Sequence, residues 1–290
     1  MTERLQVRAN GLVFDALAAG PAAGELVLLL HGFPQTSACW RHLLPALASA
    51  GYRAVAPDQR GYSPGARPGG VRAYRMRHLM ADVLAIAERL GADRFHLVGH
   101  DWGGAVAWDL AGRHPELVAT LTAVSTPHPT AFGRALLAGS QSLRSAYIPF
   151  FDLPRLPELV LGAHQGRGLR RLLAGTGLEP SWTKTYTGAL TRPGALSAAL
   201  NWYRAATPFG LRAGPVAVPT LYVWGTGDSA LGPRAARTTG RWVTGPYRFV
   251  VLERAGHWLP EQHHEELGRL LLEHLGRSGA RADGSPGPMP

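Results

Sequence analysis

The sequence predicts an α/β fold: a mostly parallel central sheet with helices on both faces and a helical cap inserted between two core segments. Three observations predict it. Short apolar runs alternate with segments of helical periodicity through the first half of the chain. The alternation then stops over a stretch rich in Leu, Ala, Arg and Gly, and it resumes near Thr220. A chain of 290 residues, 46% of them hydrophobic, has ample material for a core.

The elements follow in order. Leu5 to Asn10 and Leu12 to Leu17 flank Asn10-Gly11, a hairpin signal. Glu25 to Leu30 reads as a buried strand that enters the loop His31-Gly32-Phe33-Pro34. Trp40 to Ala50 is helical in composition and stops at Gly51, and Tyr52 to Pro57 is the next strand. Leu79, Val83, Ile86 and Leu90 fall at helical spacing before Gly91. The run from Arg94 to Leu97 predicts a strand, Ala105 to Arg113 a helix, and Leu117 to Val124 another strand. After the helical insertion come a strand at Thr220 to Trp224, a helix around Arg234 to Val243, and a strand at Arg248 to Glu253. The last helix has Pro260 near its start, Glu261 in its first turn, and Leu267, Leu270, Leu271 and Leu275 as its apolar stripe. The expected division is core over residues 1–128, cap over 129–212, core again over 213–276, and a disordered Gly/Pro-rich tail over 277–290.

Composition narrows the classes. The net charge of +10 rests almost wholly on arginine, without a basic block interleaved with aromatics, so no nucleic-acid partner is expected. The single cysteine, Cys39, excludes an intrachain disulfide and a cysteine metal cluster, and reads as a small core residue. No metal or cofactor is expected. No apolar run approaches the ~20 residues that span a bilayer, and the start lacks a signal-peptide h-region. A cytoplasmic protein with no membrane partner is the expectation, with the oligomeric state left open.

The chemistry centres on Gly99-His100-Asp101-Trp102-Gly103, a small-x-nucleophile-x-small pattern between a strand and a helix. This is the form of the nucleophile elbow of α/β-hydrolases, a sharp turn that lifts one side chain above the sheet. Asp101 stands where a serine would make an esterase. Asp228, in Gly225-Thr226-Gly227-Asp228, and His257, in Ala255-Gly256-His257-Trp258, each follow a strand. Singly, an aspartate in a turn and a histidine in a loop are ordinary. Together, in the order nucleophile, acid, histidine, they make a triad. Ser125-Thr126-Pro127, after the preceding strand, offers no competing carboxylate.

With Asp101 at the elbow, nearly the whole chain resembles the epoxide hydrolases of the α/β-hydrolase fold. The resemblance implies attack of Asp101 on an epoxide carbon, an alkyl ester on its carboxylate, and hydrolysis of that ester by water activated by His257 and Asp228. The backbone N–H groups of Phe33 and Trp102 would form the oxyanion hole. Two cap tyrosines would donate to the epoxide oxygen. Asn201-Trp202-Tyr203-Arg204 resembles one tyrosine motif, giving Tyr203. Ser145-Ala146-Tyr147-Ile148-Pro149 resembles the other, giving Tyr147, with Tyr186 in reserve. Phe33, Trp102, Phe150 and Trp202 are expected to line the pocket for an apolar or aromatic epoxide, with water as co-substrate. Phe151, Trp182 and Phe209 are read as lid core. His31 and His100 are expected to bond within their loops, and His263-His264 to form a solvated face. The Phe33-Pro34 bond is expected to be cis.

Two kinds of dehalogenase and one non-catalytic class remain. Haloalkane dehalogenases share the aspartate-based triad but often place asparagine directly after His-Gly, where this chain has Phe33. Fluoroacetate-type dehalogenases share His-Gly-Phe-Pro but carry arginine where this chain has Trp102. A non-catalytic binding protein on the same fold is the third reading, and an intact triad with a cap tyrosine argues against it.

Overall fold

A computed structural model describes residues 1–137, 140–206 and 213–282. Eight strands form one sheet: β1 (Glu3–Ala9), β2 (Leu12–Ala19), β3 (Leu26–Leu30), β4 (Arg53–Pro57), β5 (Phe95–His100), β6 (Val118–Val124), β7 (Thr220–Gly225) and β8 (Tyr247–Leu252). Their order is β1-β2-β4-β3-β5-β6-β7-β8. The first two pairings, β1 with β2 and β2 with β4, are antiparallel, and all later ones are parallel. Asn10 and Gly11 both take positive φ, 50° and 72°, which suits a two-residue hairpin turn. Every residue of β3 and β5 is buried, as expected of strands covered on both faces. The parallel strands carry the site: the loops leaving the carboxyl ends of β3, β5, β7 and β8 hold Phe33, Asp101, Asp228 and His257.

Core helices α1 (Leu43–Ser49), α2 (Met76–Arg89) and α3 (Trp102–Arg113) precede β6. Between β6 and β7 lie α4 (Pro129–Leu136), α5 (Gln141–Arg144), α6 (Ile148–Asp152), α7 (Leu156–Ala174), α8 (Pro180–Leu190) and α9 (Ala195–Ala205). The chain ends with α10 (Pro233–Thr238), α11 (Leu259–Gln262) and α12 (His264–Ala282). Helices α1 and α12 pack together, as do α2 and α3.

Several boundaries differ from the sequence reading, among them the helix expected over Arg234 to Val243, which is α10 followed by a 3-10 turn at Thr239–Trp242. The helix expected from Trp40 is a 3-10 turn, Ser37–Trp40, followed by α1 from Leu43. The last helix is broken at His263, where φ −131° and ψ 32° leave the helical region. The break lets buried Glu261 point inward while the leucine stripe of α12 packs on the core. Helix α12 also runs to Ala282, past the expected start of the tail at Arg277. Phe209 and residues 283–290 lie outside the described residues.

Side-chain hydrogen bonds staple cap to core. The Trp202 indole donates to the Arg60 carbonyl at 2.8 Å, and the Gln141 amide to the Ala230 carbonyl at 2.8 Å. Trp258 donates to the Thr176 hydroxyl at 3.0 Å and Gln262 to the Gly177 carbonyl at 2.9 Å. Beneath Trp202, Arg60 makes a buried two-point contact with Asp82 at 2.6 and 2.7 Å. No helix among the described residues is long and apolar enough to cross a membrane.

Candidate active site

Asp101 sits between β5 and α3 with φ 50° and ψ −122°, a backbone conformation that costs an L-residue energy and that the surroundings must enforce. Glycine makes the turn possible. A Cβ on Gly103 would run into the Leu30 carbonyl, and one on Gly32 into the Asp101 carboxylate. The turn is further fixed by the Thr126 hydroxyl, which donates to the Asp101 carbonyl at 2.8 Å.

The three triad residues meet above the sheet. His257 Nε2 lies 3.6 Å from Asp101 Oδ2, and Nδ1 lies 2.9 Å from Asp228 Oδ2. The other Asp228 oxygen accepts from the backbone N–H groups of Ala230 and Leu231 at 2.8 and 2.9 Å. The Asp228 and His257 side chains are both buried. The Phe33 N–H donates to Asp101 Oδ1 at 2.8 Å, and the Phe33-Pro34 bond is cis. Trp102 opens α3, so its N–H has no acceptor within the helix and is free to serve a ligand at the elbow.

Charge explains the titration. Burial disfavours a charged His257, but the Asp228 carboxylate and hydrogen bonds to Asp101 and Asp228 outweigh it and lift its pKa to about 10. Burial likewise works against an ionised Asp101, yet the His257 contacts hold its carboxyl below the usual aspartate range. The site thus sets the His257 ring between two carboxyl groups, an arrangement that favours its protonated form. Burial raises both cap phenols, and the Asp101 charge adds to that, so Tyr147 and Tyr203 stay protonated.

Tyr147 and Tyr203 line the same cavities as Asp101. They border two chambers that meet at its carboxylate. The larger, of ≈ 310 Å³, is walled by Trp102, Phe132, Leu136, Ile148 and Leu231 among others. The smaller, of ≈ 80 Å³, is bounded by Phe33, Phe151, Leu172, Leu173, His257 and Trp258. Edge-on packing holds the Tyr203 ring against Phe33, Trp102 and Phe151 at centroid distances of 5.3, 5.0 and 5.0 Å.

Three expected positions fall elsewhere. Phe150 lines neither chamber and packs on Phe151 instead. Trp202 turns its indole to the Arg60 carbonyl and supports Trp102 from behind, because its N–H needs a buried acceptor. Tyr186, the reserve tyrosine, is fully buried and donates to Glu261 at 2.6 Å. The two loop histidines also reach beyond their loops. His31 lies against the Gly32 carbonyl but its Nε2 accepts from the Gln59 N–H at 3.1 Å, and His100 bonds Gln35 and the His257 carbonyl. The sequence reading missed Gln35, Ser125 and Arg144. Arg144 donates to the Asp228 carbonyl at 2.6 Å, and Ser125 to the His257 carbonyl at 2.9 Å. Gln35 and Ser125 lie just past the ends of β3 and β6, and no signal in the sequence marks Arg144. Among the described residues no cluster of His, Cys, Asp or Glu could hold a metal ion.

Strand order, elbow and triad define the class: residues 25–264 match the α/β hydrolase fold family, and the chain belongs to it. Its relatives in that family include epoxide hydrolases. Epoxide hydrolase A of Mycobacterium tuberculosis is 34% identical, with 94% of this chain and 97% of that protein covered. The AB hydrolase superfamily protein YfhM of Bacillus subtilis is 35% identical over 93% of this chain and 96% of its own. Among solved structures, a mutant epoxide hydrolase from Bacillus megaterium, complexed with a naphthyloxy-propane-1,2-diol product, superposes with a TM-score of 0.84. It is 27% identical and covers 94% of this chain and all of that one.

Proposed function

We propose that the protein hydrolyses an epoxide to a vicinal diol through an ester on Asp101. One observation carries the reading: a carboxylate occupies the strained elbow, with His257 on one oxygen and the Phe33 N–H on the other. A carboxylate is a competent nucleophile toward a strained sp³ carbon without a base, because it is already ionised. Asp101 Oδ2 forms the C–O bond as the ring C–O bond breaks, and Tyr147 or Tyr203 delivers a proton to the departing oxygen. Alkylation removes the negative charge of Asp101, and with it part of what holds the proton on His257. That proton returns to the tyrosinate left by ring opening, and the neutral His257 then takes a proton from water, which attacks the Asp101 carbonyl carbon. The oxyanion is met by the N–H groups of Phe33 and Trp102. Collapse releases the diol with an enzyme oxygen, and the water oxygen stays in Asp101.

The walls of the larger chamber suit one apolar or aromatic substituent. The relative from Bacillus megaterium holds a naphthyloxy diol, which supports that substrate class here. The smaller chamber, which touches His257, suits the hydrolytic water and a small second substituent.

His257→Ala protein exposed to a styrene-like epoxide should gain the mass of one epoxide on the peptide carrying Asp101 and then stop, while Asp101→Ala gains nothing. In labelled water, the first diol from a wild-type single turnover should be unlabelled. A labelled first diol with no adduct would make Asp101 a general base and sink the covalent reading. Halide release from a haloalkane, with every epoxide left intact, would instead give the site to a dehalogenase.

A further inference from the structure

Behind the triad lies a buried polar chain that the reaction steps above do not use. Gln35 directly follows the Gly32-Phe33-Pro34 turn and is fully buried. Its Oε1 accepts from the Gly32 N–H at 2.8 Å and lies 2.8 Å from His100 Nδ1. Its Nε2 donates to Glu261 Oε1 at 2.7 Å, and the same oxygen accepts from the Tyr186 hydroxyl at 2.6 Å. Glu261 Oε2 is buried with no hydrogen-bond partner. A carboxyl group left half-paired inside a protein is costly, so its retention calls for a reason.

The reason lies in what the chain orients. An amide side chain can present either end, and Glu261 decides which. With its N–H₂ drawn to Glu261, Gln35 must turn its oxygen toward the Gly32 N–H. That bond fixes the plane of the turn whose next N–H, from Phe33, meets Asp101. His100 sits between the Gln35 oxygen and the triad loop, with Nδ1 2.8 Å from Gln35 Oε1 and Nε2 2.9 Å from the His257 carbonyl, so its ring links the two turns. The far end of the chain is Tyr186 in α8, a cap helix, while Glu261 belongs to α11 of the core.

We infer that Glu261 is a positioning residue. It locks Gln35, and through it the oxyanion turn, and it ties that turn to the cap through Tyr186. The assignment rests on the ester mechanism proposed above. It acts mainly on the second step, because the Phe33 N–H carries its greatest charge when the ester carbonyl becomes an oxyanion.

The test separates the two steps in single-turnover reactions, with hydrogen exchange at the 31–35 turn as a readout independent of chemistry. Glu261→Leu should slow ester hydrolysis tenfold or more and leave alkylation within about threefold, so that the alkyl-enzyme accumulates. Its turn amides should exchange faster. Glu261→Gln keeps an oxygen acceptor for both donors and should restore most of the hydrolysis rate, and Tyr186→Phe should show the weaker form of the same defect. Should Glu261→Leu fold poorly, Tyr186→Phe and Glu261→Gln decide the question between them. Equal loss in both steps, or unchanged exchange at the turn, would overturn the assignment. If the wild type forms no ester with any epoxide, the ester mechanism falls, and the exchange measurement alone judges whether Glu261 holds the turn.

Discussion

The two walls of the cleft are built differently. On the core side, charged groups are fixed by hydrogen bonds: Asp228 takes two backbone N–H groups and the His257 ring, and Asp101 takes the Phe33 N–H. On the cap side, neutral phenols are oriented by aromatic rings, with Tyr203 wedged among Phe33, Trp102 and Phe151. The difference follows from charge. A buried carboxylate without donors would take up a proton and lose its function, whereas a phenol needs only to be aimed. Burial even assists the phenols, since it raises their pKa and keeps them protonated.

The comparison breaks most sharply at Asp228. Asp228→Asn should lower ester hydrolysis by about 10⁴-fold, since the imidazole loses its partner and tautomer. Alkylation should persist, so an ester trapped on Asp101 is the readout. If alkylation falls as far as hydrolysis, the core wall acts as one unit and the division of labour is wrong. Next come the cap phenols. Tyr203→Phe should slow alkylation by about 10²-fold, and the double change with Tyr147→Phe by more, while a preformed ester still hydrolyses normally. A Tyr203→Phe protein that alkylates at the wild-type rate would leave the cap wall as packing alone. The gentlest change is in pH, at no more than about tenfold per unit. His257 is a base only when neutral, and its pKa is raised, to about 10 in the resting site. Hydrolysis of the ester should therefore rise with pH, approaching tenfold per unit, and level off below pH 10 because the esterified Asp101 no longer supports the charge. Alkylation should stay flat above the acid range, since the Asp101 carboxyl titrates below its ordinary value. Identical profiles for the two steps would remove His257 from the second.

Much of the fold and of the site is legible in the sequence, for physical reasons that also mark where reading stops. Asn10-Gly11 specifies its turn locally, and the apolar run of β3 can only be a covered strand. The triad is legible because each member sits at a strand end, where topology alone gathers distant residues. Inside the cap no such rule holds. Whether Trp202 faces the cavity or Arg60 depends on how α9 is rotated against its neighbours, and both faces of that helix carry apolar residues. Tyr186 and Phe150 are unreadable for the same cause. The Gln35–Glu261 bond spans 226 residues, and nothing near either residue announces it.

The larger chamber has a consequence for how a turnover ends. Away from Asp101, Tyr147 and Tyr203 its walls are mostly apolar, and the Thr126 hydroxyl among them is committed to the Asp101 carbonyl. An epoxide brings one weak acceptor into that space. A diol brings two O–H groups, and each hydroxyl left unpaired there costs on the order of 1–3 kcal/mol. On the reaction proposed above, the diol is therefore a poorer guest than the epoxide for those walls, and water competes for it while Trp202, Gln141, Trp258 and Gln262 hold cap to core.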